Sequence, residues 1–379
     1  IADTPGYLSY NTLINLSMIG SDSYFKDLME NRAKERAALD AEYELETWAE
    51  SSIIKFEDIT VDTEKYNPQD YIHLLHLSDL HFTEDIYPDV KLQWLLHDIR
   101  SGDCLGLNKI EYLVISGDFT DRGNEEGFKR ALQFISRLMS ELSIPEECCI
   151  LVPGNHDINY NMCPYGLKGF SELLFNKIVN TAYPSEADKQ AQSYIFPQDY
   201  IQFITLNSGW QIDRSNQKRA SINVIALANI LDRTEKEKQD AINSEVLNKN
   251  QKFLRIAVFH HPITQLETMK NQNYIEHLRQ NNVQLILHGD IHEINREIYK
   301  GWERAKVHII GAGTFGAKVD DRPESIPRLY NLLAIKKDLS LIRVHTRQQR
   351  KIDGPWEGWY EWPAPGNSKA HLPYFDITF

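Results

Sequence analysis

From Tyr71 onward the chain is a succession of short apolar runs, each closed by glycine or by charged and imidazole residues. The runs read YIHLLHLSDLH, IEYLVISGDFTDRG, CCILVPGNHD, YIQFITLNSG, RIAVFHHP, VQLILHGDIH and KVHIIGAGTFG. Short β-favouring runs with such ends predict buried strands. Helix-like stretches, VKLQWLLHDIR and EEGFKRALQFISRLMSEL, lie between several of them. That alternation predicts an α/β sheet that is at least partly parallel. The segment 231–251 is charged with scattered apolar residues, and reads as a solvated helix or a mobile loop.

Residues 1–67 have a different texture. SDSYFKDLMENRAKERAALDAEYELETWAES predicts one long charged helix, with Phe25, Leu28, Met29, Arg32 and Arg36 at three- and four-residue spacing. Ser21 or Ser23, with Asp22, offers an N-terminal cap. The helix either docks on its own core or serves as an arm for a protein partner. The chain then divides into a helical extension (1–67), an α/β domain (68–345) and an aromatic tail (346–379). GPWEGWYEWPAPG in that tail reads as a flap over a sheet edge or as a base-stacking platform.

With 379 residues, 42% of them hydrophobic, the chain can bury a sizeable core. No apolar run reaches the length of a bilayer span, so no membrane association is expected. Cys104, Cys148, Cys149 and Cys163 form no disulfide framework and read as thiols of a reducing cytoplasm. A net charge of −13 opposes binding to nucleic acid unless a local basic patch or bound cations intervene.

In open α/β sheets, ligands bind outside the carboxyl ends of the strands. Five such ends carry metal-competent residues: Asp79 and His81, Asp118, Asn155 with His156 and Asp157, His260 and His261, then Asp290 and His292. Any one of these is an ordinary turn residue, but five in succession define a site. Asp, Asn and His together suit Mn²⁺, Fe²⁺ or Zn²⁺. Two such ions about 3.5–4 Å apart clamp the attacking and leaving oxygens of a displacement at phosphorus.

DLH, GDFTDRG, GNHD, HHP and GDIH, in this order, resemble the calcineurin-like metallophosphoesterase superfamily. Its signature runs D-x-H, G-D-x-x-D, G-N-H-D/E, a His two residues before a Pro, and G-H-x-H. The resemblance implies a metallophosphoesterase-type β-sandwich of two mixed sheets flanked by helices. It also implies two divalent metal ions, Mn²⁺ first with Fe²⁺, Zn²⁺ or Mg²⁺ as alternatives, and attack of a metal-bound hydroxide on a phosphodiester. Carried over by position, Asp79 and His81 bind the first ion, Asp118 bridges both, and Asn155 binds the second ion and touches the phosphate. His260 matches a second-ion ligand, which makes His261 a neighbour. His156 assists the leaving oxygen, Asp157 orients it, and Arg122 holds phosphate oxygens. His292 matches the final His. Asp290 stands where the family has a His, either as a harder, anionic ligand or as the sign of a weakened second site. His288 is a substitute ligand by type, but one residue before the glycine it is expected to point elsewhere, and His73 and His76 read as packed strand residues. GAGTFGA (311–317) matches the loop after G-H-x-H and brings backbone close to the site. Two alternatives remain, a nuclease module of a larger assembly acting on DNA or RNA, and a weakened metal-site scaffold that binds a partner.

Overall fold

The computed structural model describes residues 66–162, 166–215, 219–264, 267–270, 273–291, 296–300, 306–317, 326–351, 353–364 and 366–379. The expected N-terminal helix, Cys163 and His292 lie outside the described residues.

Strand side chains alternate between the two faces of a sheet. In β1 (Tyr71–Leu77), β2 (Tyr112–Ser116) and β3 (Cys149–Val152), residues Ile72, Leu74, Tyr112, Val114, Ile150 and Val152 enter one apolar cluster. The intervening Leu75, Leu77, Leu113, Ile115, Cys149 and Leu151 enter another. Runs apolar on both faces are buried on both faces, which is why they read as continuous hydrophobic stretches. The three strands are parallel.

The second sheet repeats the pattern. It runs in the order β4 (Ala191–Phe196), β5 (Ile201–Leu206), β6 (Leu254–Val258), β7 (Val283–His288), β9 (Lys306–Gly311), β8 (Arg296–Lys300). Its centre is parallel and its edge strands β4 and β8 are antiparallel. Ile201, Phe203, Leu254, Ile256, Leu285 and Leu287 share the cluster with the inner residues of the first sheet, so the sheets stack through that core. The first sheet continues from β1 through β10 (Arg328–Lys336) to β11 (Leu341–Gln349), both antiparallel additions. β12 (Glu357–Gly358) and β15 (Tyr374–Thr378) both pair with β11, while β13 (Trp362–Ala364) and β14 (Asn367–Leu372) form a separate ribbon.

Helices cover the outer faces. Helix α1 (Pro88–Arg100) and helix α2 (Glu125–Leu142) lie on the first sheet. The latter buries Phe128, Ala131, Phe134, Ile135, Leu138 and Leu142 along one stripe and is capped by Asn124, whose Oδ1 accepts the Gly127 N–H at 2.8 Å. Helix α3 (Val224–Asn243) sits on the second sheet through Leu227, Ile230 and Leu231. Most of the charged segment 231–251 is therefore helix, with its polar residues in water. No helix among the described residues is long and apolar enough to cross a membrane.

The aromatic tail packs on the sheet. Trp356 stacks on Phe315 at 5.3 Å and meets the Tyr330 ring edge-on at 4.8 Å. Trp362 lies 4.4 Å from Phe375 and donates from its indole to Thr346 Oγ1 at 2.9 Å. Asp98 of α1 is fully buried and accepts hydrogen bonds from Tyr330 and from Arg347, Nε at 2.8 Å, tying that helix to β10 and β11.

Lys91 of α1 is 6% exposed, lies 5.8 Å from the centre of the Phe315 ring, and its Nζ meets no hydrogen-bond acceptor among the described residues. Burial, then the Arg328 guanidinium, push its ammonium down from 10.5 to about 7, against the attraction of Asp353. An amine whose folded pKa is depressed contributes most stability above its unfolded pKa and loses it as pH falls to the folded one. Lys91→Met is therefore expected to raise unfolding stability by about 1–3 kcal/mol at pH 7, with the gain shrinking as pH climbs towards 10. Urea unfolding at the two pH values measures it. A gain that does not depend on pH would mean the ammonium finds solvent.

Candidate metal centre

The turns after β1, β2 and β7 hold Asp79, His81, Asp118 and Asp290 at φ of 52°, 45°, 56° and 64°. Non-glycine residues rarely take this region, and each instance costs about 1–3 kcal/mol unless the surroundings impose it. Here backbone bonds impose it. Asp79 N–H donates to Gly117 O and His81 N–H to Asp118 O, both at 3.0 Å. Phe315 and Gly316 of the 311–317 loop donate to Ser78 O and Asp79 O at 3.0 and 2.8 Å, which places that loop against the site as expected. The glycine of GNHD answers a close approach, since a Cβ on Gly154 would stand 2.1 Å from Asp118 Oδ1.

These turns bring the candidate donors together. Asp118 Oδ2 lies 3.8 Å from His81 Nε2 and 3.3 Å from His260 Nε2. Asp79 Oδ1 is 3.8 Å from His81 Nε2. His260 Nε2 is also 3.0 Å from Asn155 Oδ1 and 3.8 Å from Asp290 Oδ1. Asp290 N–H donates to Asp79 Oδ2 at 3.2 Å, so the departure from the family pattern reaches the cluster. The other nitrogen of His260, Nδ1, lies 2.6 Å from Ser116 O. A carbonyl can only accept, so Nδ1 carries the proton and Nε2 faces the donors. Burial alone would raise the Asp118 carboxyl, but the imidazoles of His260, His156 and His81 hold it low. The His260 imidazole, despite burial, is held high chiefly by Asp118.

His156 and its neighbours differ from expectation. The carboxylate at the His156 ring belongs to Asp121, Oδ1 to Nδ1 at 2.7 Å, and not to Asp157. Asp157 is fully buried and accepts backbone N–H bonds from Asp118, Phe119, Thr120 and Gly154 at 2.8–3.2 Å. It holds the turns after β2 and β3 to each other, while Asp121 takes the histidine ring. Arg122 lies at the rim, beside the carboxylate that meets His156. Its side chain is 81% exposed, with Nε 4.0 Å from Asp121 Oδ1. His261 turns its Nδ1 to Ser208 Oγ at 2.8 Å, and burial lowers it to about 4, leaving a neutral ring. His288 faces Gly289 O at 2.9 Å, and His73 and His76 are buried in β1.

Two positioning residues carried no sequence signal. Ser208, after β5, accepts the backbone N–H of His260 and His261 at 3.2 and 3.1 Å, and the Ser116 carbonyl sets the His260 tautomer. Asp121 was in view within GDFTD, but spacing does not say which carboxylate meets the ring.

The donor set suits divalent metal. Three groups (Asp79, Asp118, His260; His81, Asp121, His156; His260, His261, Asp290) each bring one donor atom per residue within 4.8 Å of one another. Asp79 and Asp118 are 0% and 1% exposed. Two carboxylates buried side by side are costly without a cation to offset them.

Two stacked mixed sheets with outer helices, and Asp, Asn and His gathered at the strand ends, define a metallophosphoesterase-type sandwich. The chain belongs to the calcineurin-like phosphoesterase family, whose sequence profile matches residues 72–293. It is 23% identical over 258 residues to the uncharacterized metallophosphoesterase-like protein YydB of Bacillus subtilis (strain 168), a match covering 59% of this chain and 49% of YydB. The chain thus spans about half the length of the curated relative it matches. Among solved structures it is similar to the purple acid phosphatase PPD1 of yellow lupin, Lupinus luteus, at 12% identity and a TM-score of 0.48, covering 83% of this chain and 55% of that one. It is also similar to Vacuolar Protein Sorting 29 of Cryptosporidium parvum at 10% identity and a TM-score of 0.37, covering 82% and 99% respectively.

Proposed function

We propose that this chain is a dinuclear metal-dependent phosphodiesterase. The observation that carries the reading is Asp118, a buried carboxylate whose Oδ2 lies within 3.8 Å of His81 Nε2 and 3.3 Å of His260 Nε2. That placement supports Asp118 as the bridge between Asp79 and His81 on one side and Asn155, His260 and Asp290 on the other. His292 is assigned to the first side by motif alone. A bound pair of divalent ions, Mn²⁺ foremost for this mixed nitrogen and oxygen set, would supply Lewis acidity and an activated water. Asn155 offers its amide to a phosphoryl oxygen. Asp121 anchors Nδ1 of His156, which leaves Nε2 to donate a proton to the departing oxygen. Asp157 keeps the turns of Asp118 and Asn155 in register. The diester preference rests on the resemblance of GNHD and a final metal-binding histidine to diesterase branches. Three free thiols, Cys104, Cys148 and Cys149, support a reducing compartment such as the cytoplasm.

The test is hydrolysis of an aryl phosphodiester beside the matching monoester with Mn²⁺ added. His156→Asn is expected to lower diester turnover about 10²–10⁴-fold while metal stays bound. Faster turnover of the monoester would reverse the substrate assignment, and faster cleavage of DNA or RNA would favour the nuclease reading. No turnover with about one ion per chain would leave a scaffold.

A further inference from the structure

Asp290 stands where the family pattern has a histidine, and the backbone fixes it in the centre. Gly289 N–H donates to His260 O at 2.9 Å, and Asp290 N–H donates to Asp79 Oδ2 at 3.2 Å. A Cβ on Gly289 would stand 1.8 Å from Ser78 Oγ and 2.8 Å from Asp79 Oδ2, so this turn lies directly on the turn after β1. Asp290 takes φ of 64°, a region that Asp, Asn and His enter more readily than other side chains. Its carboxylate is thereby held beside His260, Oδ1 to Nε2 at 3.8 Å.

No nearby imidazole restores the missing nitrogen donor. His261 does bring a ring nitrogen within 4.8 Å of donor atoms of His260 and Asp290. Ser208 Oγ, however, accepts the backbone N–H of His260 and of His261 at 3.2 and 3.1 Å, which fills its two lone pairs. Its own hydrogen therefore goes to His261 Nδ1 at 2.8 Å, and the neutral ring carries its proton on Nε2. Neither nitrogen then keeps a lone pair for a cation. His288 turns Nδ1 to Gly289 O at 2.9 Å and joins none of the donor groups among the described residues. The exchange of histidine for aspartate is left uncompensated, and it adds a negative charge.

That charge is placed to act on a substrate. The side chains of Asp79 and Asp118 are 0% and 2% exposed, whereas that of Asp290 is 29% exposed. Its one ion-pair partner among the described residues is His260, so no Lys or Arg there cancels it. With two divalent ions bound, a third carboxylate halves the net positive charge that an arriving phosphoester meets. A phosphomonoester carries about two negative charges near pH 8, and a diester carries one. Coulomb attraction scales with the product of the charges, so the added carboxylate costs a monoester about twice the free energy that it costs a diester.

We propose that Asp290 is a specificity-determining residue, which disfavours dianionic phosphomonoesters and leaves the centre to monoanionic diesters. The proposal rests on the dinuclear phosphoesterase reading and supplies an electrostatic ground for its diester preference. The test is calorimetric titration of inorganic phosphate, and separately of diethyl phosphate, into the Mn²⁺-loaded full chain at about pH 8, with ion content read by elemental analysis. Asp290→Asn keeps the shape, suits the same φ and removes the charge. It is expected to bind phosphate about tenfold more tightly and diethyl phosphate about threefold more tightly. Two affinities raised by the same factor, or neither raised, would overturn the proposal, and a parent holding two ions would leave the phosphoesterase reading standing. If Asp290→Asn loses an ion, Asp290→His keeps a metal donor there without the charge. The same shift in favour of phosphate is then expected, and its absence overturns the proposal. A parent that holds fewer than two ions per chain overturns the dinuclear reading, and the proposal with it.

Discussion

Asp118→Asn is expected to lower metal-dependent diester hydrolysis by about a thousandfold or more, because it removes the one group proposed to serve both ions. Asp118 uses both its oxygens. Oδ1 accepts the His156 N–H at 2.8 Å, and Oδ2 faces the imidazoles of His81 and His260. An amide keeps the shape but loses the charge, and one of its two positions becomes an N–H₂ that cannot accept. Elemental analysis should then find about one ion per chain or fewer where the parent holds two. Retention of two ions with a tenth of the activity would sink the bridging role.

A second substitution separates two neighbouring carboxylates that look alike in sequence. Asp157→Ala is expected to destabilise the fold by about 3–5 kcal/mol, since it strips acceptors from four buried backbone N–H groups at once. Asp121→Asn, at a side chain 43% exposed, should leave stability nearly unchanged and act on kcat, where it loosens His156. Unfolding curves and kcat measured on both variants decide the matter. If Asp157→Ala were as stable as the parent, its hydrogen bonds would not be what joins the two turns. If Asp121→Asn changed stability but not kcat, the histidine would be held by something else.

Much of this arrangement was legible in the chain. DLH, GDFTD, GNHD and HHP each follow a run apolar on both faces, and a run of that kind can only be a strand between two packed layers. Its polar end then sits at the sheet's carboxyl edge, and that alone brings Asp79, Asp118, Asn155 and His260 to one side of the fold. Asp290 was the uncertain member, and its Oδ1 reaches within 3.8 Å of His260 Nε2. Arg122 and Asp157 were harder to read. How far a long arginine side chain reaches depends on its rotamers and on what surrounds it, and spacing encodes neither. Which of two carboxylates meets a histidine depends on which backbone N–H groups have already claimed the other.

The sequence by itself determined the class of fold, the family and the inventory of metal-competent residues, because those follow from apolar periodicity and from short motifs within single turns. Only the tertiary structure decided the pairings between turns: Asp121 with His156, Asp157 with the backbone of the preceding loop, and Ser208 with both histidines of HHP. Such contacts join residues 35 to 53 positions apart. Nothing local in a chain records them, since they exist only once two sheets have stacked and brought separate strand ends to one edge.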